Sequence, residues 1–122
     1  MSKKVLVVDD SATVRQQVAH ALGQAGFTVL EAVDGLDGAE TIAATPDLAL
    51  VFCDVNMPRM NGLEMVESVK ATGRAATLPI VMLTTEGDPA LVARAKHVGA
   101  KGWIVKPFKP DLLVAAAKKL AV

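Results

Sequence analysis

The sequence predicts an α/β protein: a doubly wound, five-stranded parallel sheet with five helices packed on its two faces. Two observations carry this prediction. Five short apolar runs alternate along the chain with five segments whose apolar residues recur at helical spacing. In addition, residues 48–53 form an uninterrupted apolar run, which is typical of a strand covered on both faces. The 122 residues, 52% of them apolar, correspond to one domain and are too few for an eight-stranded barrel.

The first strand is the apolar run at 5–8, and a helix follows it. Ser11 is a candidate cap for this helix, and Gly26 ends it. The apolar positions at helical spacing are Val14, Val18, Ala21, Leu22 and Ala25. Residues 27–32 then form the second strand.

The second helix lies between a predicted turn at Asp34-Gly35 and Pro46. Its apolar positions are Leu36, Ala39, Ile42 and Ala43. The third strand, at 48–53, leads into a loop at 54–60. Asn61 is a candidate cap for the third helix. The inner face of that helix carries Met65, Val66 and Val69.

The last part of the chain repeats the alternation, with strands at 79–83 and 102–105. Between them, Asp88-Pro89 is typical of a helix start and Gly99 of a helix end. Pro110 opens the last helix together with Asp111, and the inward positions are Leu113, Ala116, Ala117 and Leu120. Right-handed crossovers between parallel strands favour the flavodoxin-like strand order 2-1-3-4-5.

Charge and composition exclude several classes of protein. Lys plus Arg and Asp plus Glu both total 13, so the net charge of zero gives no electrostatic reason to expect binding to nucleic acid or to an anionic membrane. No apolar stretch is long enough to span a bilayer or to form a signal peptide, and the single cysteine, Cys53, cannot form an internal disulfide. We expect a cytoplasmic monomer in which residues 1–122 form one domain with no attached output domain.

Four of the predicted strands end in polar residues, which the fold brings to one edge of the sheet. These residues are Asp9 and Asp10, Asp54, Thr84 and Thr85, and Lys106. Each has an ordinary role when taken alone: an aspartate can cap a helix or begin a turn, and a lysine can lie in a solvated loop. Their coincidence at four strand ends favours a shared site.

Carboxylates gathered at one edge repel one another, by about 4 kcal/mol for a pair about 4 Å apart at an effective dielectric constant of about 20. The cluster must therefore take up protons or bind a cation, and an all-oxygen site with room for water suits Mg²⁺. The same groups suit phosphoryl transfer. A metal and Lys106 can neutralise the oxygens of the moving group while a carboxylate attacks, and the hydroxyl of Thr84 can donate a hydrogen bond to it.

Four short motifs around these positions form a specific set. They are Val7-Val8-Asp9-Asp10-Ser11, Asp54-Val55-Asn56-Met57-Pro58 with Met60-Asn61-Gly62, Leu83-Thr84-Thr85, and Val105-Lys106-Pro107-Phe108. In this order and spacing the sequence resembles the receiver domains of two-component response regulators, in their single-domain, CheY-like form. The resemblance covers essentially the whole chain.

The resemblance implies roles for the acidic residues. Asp54 is expected to accept a phosphoryl group from a histidine kinase and to form an acyl phosphate. The side chains of Asp10 and Asp54 and the backbone carbonyl of Asn56 are expected to ligate Mg²⁺. Asp9 is expected to hold a water molecule bound to the metal.

The resemblance also implies how the domain switches. Lys106 is expected to pair with the phosphoryl group, and its bond to Pro107 to be cis. On activation Thr84 would move toward the phosphate, and Trp103, where the family commonly has Tyr or Phe, would swing inward behind it. These movements would remodel the face formed by the fourth helix, the fifth strand and the fifth helix. An ordinary packing role for Trp103 is the alternative.

The partners follow from the same resemblance: a histidine kinase as phosphodonor, a separate downstream protein such as a flagellar motor switch or another motility component, and a phosphatase. The domain would catalyse its own phosphorylation and dephosphorylation and act on no separate substrate. Chemotaxis or motility is the favoured pathway, and a role as a phosphorelay intermediate is an alternative.

Two other classes share parts of this constellation. A Mg²⁺-dependent aspartyl-nucleophile phosphatase of the haloacid-dehalogenase type also uses carboxylates and a lysine. That class favours a second aspartate two residues after the nucleophile, where this chain has Asn56. A flavodoxin-like cofactor binder would need a glycine-rich phosphate loop after the first strand, where Asp9 and Asp10 would repel a phosphate.

Overall fold

The computed structural model describes residues 3–55, 60–71, 78–84, 89–106 and 108–121. Strands and helices alternate in the order β1 (Lys4–Val8), α1 (Ala12–Gln24), β2 (Thr28–Ala32), α2 (Gly35–Ala44), β3 (Leu48–Asp54), α3 (Gly62–Ala71), β4 (Ile80–Thr84), α4 (Pro89–Val98), β5 (Gly102–Val105) and α5 (Pro110–Leu120). All strand pairs are parallel, and the order across the sheet is β2-β1-β3-β4-β5. The predicted doubly wound, flavodoxin-like sheet is confirmed.

Two apolar layers enclose the sheet, because successive side chains of a strand point to opposite faces. In β1, Val5 and Val7 belong to the layer shared with α1 and α5. Leu6 and Val8 belong to the layer shared with α2, α3 and α4. All four are fully buried, and burial of each such side chain contributes about 1.5–3 kcal/mol. Burial on both faces is the reason for the uninterrupted apolar run in β3.

The register of the strands brings their carboxyl ends to one edge. Val8 at the end of β1 pairs with Cys53 of β3, and the next residue of β3, Asp54, pairs with Leu83 of β4. Thr84 at the end of β4 pairs with Val105 of β5. The carboxyl ends of these strands therefore meet at the same edge.

The helix starts near this edge are fixed by side-chain caps. Ser11 accepts a hydrogen bond from the backbone N–H of Val14, as its predicted role requires. Asp34 differs from the prediction of a turn, because its carboxylate accepts from the N–H of Asp37 and caps α2. Asn61 and Glu64 cap α3 reciprocally, each side chain accepting from the backbone N–H of the other. The predicted cap of α4 at Asp88 lies outside the described residues.

The helices are short, and the longest of those described, α1, has 13 residues. Within the described ranges, none combines the length and the apolar content needed to cross a membrane.

Candidate functional site

Three aspartates meet at the carboxyl edge of the sheet. Asp9 and Asp54 are buried, whereas Asp10 is exposed. Each offers a carboxylate oxygen, and these oxygens all lie within 4.8 Å of one another. Opposite ligands of an octahedral Mg²⁺ are about 4.2 Å apart, so the spacing and the all-oxygen donor set fit this cation.

Lys106 brings a positive charge into the same cluster. Its ammonium nitrogen lies 2.7 Å from Oδ2 of Asp9 and 3.5 Å from Oδ1 of Asp54. The backbone N–H of Lys106 donates to the carbonyl of Thr84, which extends the β4–β5 pairing by one residue and fixes where the lysine side chain begins. Lys106 is mostly buried, so little solvent screens its charge.

Asp9 is the most firmly held of the three acids. Its backbone N–H donates to the carbonyl of Ala32 on β2, at 3.1 Å. Its Oδ1 accepts from the N–H of Ser11 at 2.9 Å, and its Oδ2 accepts from Lys106. The carboxylate is fully buried, and these partners compensate for its lost hydration.

Asp54 has an unusual protonation equilibrium. Burial, followed by the negative charge of Asp9, raises the pKa of the Asp54 carboxyl from 3.8 to about 6, although the ammonium group of Lys106 acts in the opposite direction. A carboxylate with this pKa is mostly ionised at neutral pH, but its ionised form is held at a free-energy cost. A bound divalent cation would remove that cost.

Cys53, the residue before Asp54, points into the layer formed with α3. Its thiol is fully buried and lies 3.9 Å from the sulfur of Met65. Burial, and to a lesser degree the charge of Asp54, raises the pKa of this thiol, so the group stays protonated. Cys53 is therefore a core residue with no nucleophilic role.

The two predicted switch residues lie on neighbouring strands. Thr84 is fully buried at the end of β4. Trp103 pairs with Met82, two residues before Thr84, and packs on the layer that includes Ala95 of α4. Its indole N–H is buried and has no hydrogen-bond acceptor within the described part of the chain. A small cavity of about 50 Å³ adjoins the ring.

The structure thus brings Asp9, Asp10, Asp54 and Lys106 into one cluster and places Thr84 at the neighbouring strand end. The predicted metal ligand Asn56, like Thr85 and Pro107, lies outside the described residues.

Two residues of this region were missed by the sequence analysis. Arg15 donates from Nη1 to the carbonyl of Asp9 at 2.6 Å, and no periodicity or motif predicts such a contact. Gly62 lies against Asp54, because a Cβ at this position would collide with the Asp54 carbonyl oxygen. The signal that could have found it was the Asn61-Gly62 pair, which was interpreted as a helix start and as part of a family motif but not as a contact with Asp54.

The chain is similar to known proteins over most of its length. A family model for the response regulator receiver domain matches residues 5–118. The chain is 44% identical over 111 residues to the chemotaxis protein CheY1 of Helicobacter pylori, with 90% of each protein covered. It is 42% identical to a chemotaxis protein CheY homolog of Campylobacter jejuni, over 90% of this chain and 85% of that protein.

Solved structures are similar over nearly the whole chain. The chemotaxis protein CheY4 of Vibrio cholerae has a TM-score of 0.92 and 40% identity, over 98% of this chain and 99% of that one. The CheX-CheY-BeF3-Mg²⁺ complex of Borrelia burgdorferi has a TM-score of 0.90 and 25% identity, over 98% of this chain and 90% of that one.

Proposed function

Because the chain belongs to the response regulator receiver domain family, we propose that it is a signalling switch activated when Asp54 accepts a phosphoryl group from a histidine kinase in the presence of Mg²⁺. One observation carries the proposal. The Asp54 carboxylate lies among two further aspartates, with the ammonium of Lys106 3.5 Å away. Such a site holds a nucleophile, oxygen ligands for a metal and a fixed cation together.

The reaction transfers a phosphoryl group from a histidine nitrogen to an aspartate oxygen. An Asp54 carboxylate oxygen attacks the phosphorus of a phosphohistidine, and the phosphorus–nitrogen bond breaks with its electron pair passing to the imidazole ring. The product is an acyl phosphate on Asp54. The attack needs the ionised carboxylate, which a pKa of about 6 makes the major form at neutral pH.

Asp10 and Asp54 would hold Mg²⁺ through their side chains, with the carbonyl of Asn56 as a further ligand and Asp9 reaching it through water. When bound, Mg²⁺ supplies positive charge to the phosphoryl oxygens. The exposure of Asp10 suits this role, because Mg²⁺ usually keeps several water ligands. Lys106 would neutralise a phosphoryl oxygen from the side of β5.

The signal would leave the site through a shift between two arrangements of the strand ends. The hydroxyl of Thr84 and the ammonium of Lys106 bond a phosphoryl group better when both move toward Asp54. Trp103 lies on β5 and packs on the layer that includes Ala95 of α4, next to a small cavity, so it has space to respond.

The output surface would be the face formed by α4, β5 and α5. A groove of about 570 Å³ lies along β5 and α5, and its lining is mostly apolar. Two of its residues, Val105 and Leu112, are large apolar side chains that are 46% and 53% exposed. Exposed apolar groups of this kind are typical of surfaces that bind another protein.

The pathway is proposed from the relatives, which are chemotaxis proteins of the CheY type. We place this chain in the cytoplasm in a chemotaxis or motility pathway, with a flagellar motor switch or another motility component as its partner. One structural relative was solved with CheX, BeF3 and Mg²⁺, which supports the use of the same phosphate mimic here.

The test is labelling by a small radioactive phosphodonor such as acetyl phosphate. The wild-type protein should be labelled in the presence of Mg²⁺ and lose labelling in a chelator, and Asp54→Asn should not be labelled. Asp47→Asn is the matched control, because Asp47 is an exposed aspartate paired with Lys4 at the opposite edge of the sheet. Labelling of Asp54→Asn at the wild-type rate would refute the proposal.

A further inference from the structure

Arg15 is a mostly buried arginine beside the acidic cluster. It lies in the first turn of α1, and only 15% of its side chain is exposed. Its Nη1 donates to the backbone carbonyl of Asp9 at 2.6 Å, and its Nε donates to Glu31 on β2 at 3.2 Å. The positive end of the α1 dipole disfavours a cation here, so these two contacts must hold it.

The contact with the Asp9 carbonyl has a geometric consequence for Asp10. The carbonyl of Asp9 and the N–H of Asp10 belong to one rigid, planar peptide group. Holding that oxygen therefore fixes the plane of the peptide group, which also contains the Cα of Asp10. At the other side of Asp9, its own N–H is fixed by Ala32 on β2.

Asp10 depends on this support more than its neighbours do. Within the described residues, no hydrogen bond holds its exposed carboxylate, whereas the Asp9 carboxylate has Ser11 and Lys106 as partners. The direction of the Asp10 side chain is thus set through the backbone.

We propose that Arg15 is a positioning residue that, with Glu31 as its anchor, fixes the Asp9–Asp10 peptide and thereby raises the affinity of the acidic cluster for a divalent cation. The inference rests on the proposed function, because it assumes that this cluster binds Mg²⁺. Groups that orient metal ligands in this way typically change metal affinity by about 10–100-fold when they are removed.

A purely electrostatic effect of Arg15 predicts the opposite change in Mg²⁺ affinity when this residue is removed. Arg15 is a positive charge near a cation site, so its removal alone would strengthen Mg²⁺ binding by Coulomb's law. The removal of Glu31 would weaken binding, and the two changes together would nearly cancel. Positioning predicts instead that each change weakens binding and that the double variant behaves like the loss of Arg15 alone.

The experiment is a calorimetric titration of the full chain with MgCl₂ at constant ionic strength. For Arg15→Met we expect the dissociation constant to rise by about 10-fold, and for Glu31→Gln by a smaller factor. The double variant should match Arg15→Met. Arg94→Met is the control. Arg94 on α4 is also paired with a glutamate, Glu67 on α3, but more than half of the Arg94 side chain is exposed.

Arg15→Lys gives a second, independent measurement that keeps the charge. A lysine cannot donate to Asp9 and Glu31 with the same fork of nitrogens, so positioning predicts weaker Mg²⁺ binding than in the wild type. Unchanged or tighter binding in Arg15→Lys, or tighter binding in Arg15→Met, would overturn the inference. A wild-type protein that binds no Mg²⁺ would overturn the proposed function instead.

Discussion

Lys106 donates its shorter contact, 2.7 Å, to Asp9, and the nearest oxygen of Asp54 lies 3.5 Å away. The residue expected to receive the phosphoryl group is therefore not the first partner of the lysine. Asp9 is fully buried, and it needs a permanent counter-charge more than Asp54 does. A phosphoryl group on Asp54 would have to draw the ammonium away from Asp9.

Replacing Lys106 with Met should destabilise the protein strongly in metal-free buffer. The buried carboxylate of Asp9 would lose its charge partner, and breaking a buried pair in this way costs about 3 kcal/mol in the free energy of unfolding. Urea unfolding at about pH 7.5 measures it. Lys4→Met is the control, since both members of the Lys4–Asp47 pair are well exposed, and its effect should stay below about 1 kcal/mol. Equal effects of the two substitutions would contradict the assigned role of Lys106.

Asp54→Asn should make the metal-free protein more stable, and the gain should depend on pH. The folded-state pKa of Asp54 is raised from 3.8 to about 6, so folding opposes its ionisation. The destabilisation is therefore complete above pH 6, declines as the pH falls through 6, and is absent once the carboxyl is protonated in both states.

The expected gain at about pH 7.5 is about 1–2 kcal/mol, less than the full pKa shift implies, because the introduced amide is itself a buried polar group. Urea unfolding in a chelator at about pH 7.5, 6 and 5 checks it. If the stability difference between Asp54→Asn and the wild type did not change over this pH range, folding would not oppose the ionisation of Asp54.

Gly62→Ala should lower the free energy of unfolding by about 2 kcal/mol or more. The added Cβ would meet the backbone carbonyl oxygen of Asp54, which cannot move away as a flexible side chain could. Gly23→Ala is the matched control. A Cβ at Gly23 in α1 has no neighbour within 4 Å, so alanine there should stabilise by about 0.5–1 kcal/mol. Thermal unfolding of both variants compares them, and a neutral Gly62→Ala would show that the contact between Gly62 and the Asp54 carbonyl tolerates an added methyl group.

Trp103 is the single tryptophan and offers an optical test of the switch. Its indole N–H is buried without an acceptor among the described residues, so the emission of the inactive protein should be shifted to the blue relative to indole in water. Adding beryllofluoride and Mg²⁺ should change this emission if the ring responds to the site, and Asp54→Asn should abolish the change. Constant emission, together with altered amide signals of Thr84 and Lys106, would identify Trp103 as an ordinary packed side chain.

Much of the fold was predictable because its signals are periodic. Apolar runs and helical spacing predicted the ten elements in their order, and parallel pairing then placed the carboxyl ends of β1, β3, β4 and β5 at one edge. The partners within the site were not predictable. Whether the shorter contact of Lys106 is with Asp9 or with Asp54 depends on side-chain rotamers and on distances that differ by a fraction of an ångström. The sequence contains no pattern that encodes them.

The contact between Arg15 and the Asp9 carbonyl escaped prediction for a related reason. An arginine in the first turn of a helix is normally solvated, and only the position of β2 beside β1 gives it Glu31 and a carbonyl to bind. Asp34 was interpreted as part of a turn because turn and helix-cap preferences overlap for aspartate.

The bond between Lys106 and Asp9 joins residues 97 positions apart, from the end of β1 to the end of β5. Contacts of such long range close late during folding, because the intervening chain must first be ordered. A nascent polypeptide that has not yet emerged as far as β5 holds the acids without their cation. A chain truncated before β5 would therefore keep the acids of β1 and β3 but lack the counter-charge that stabilises the buried carboxylate of Asp9.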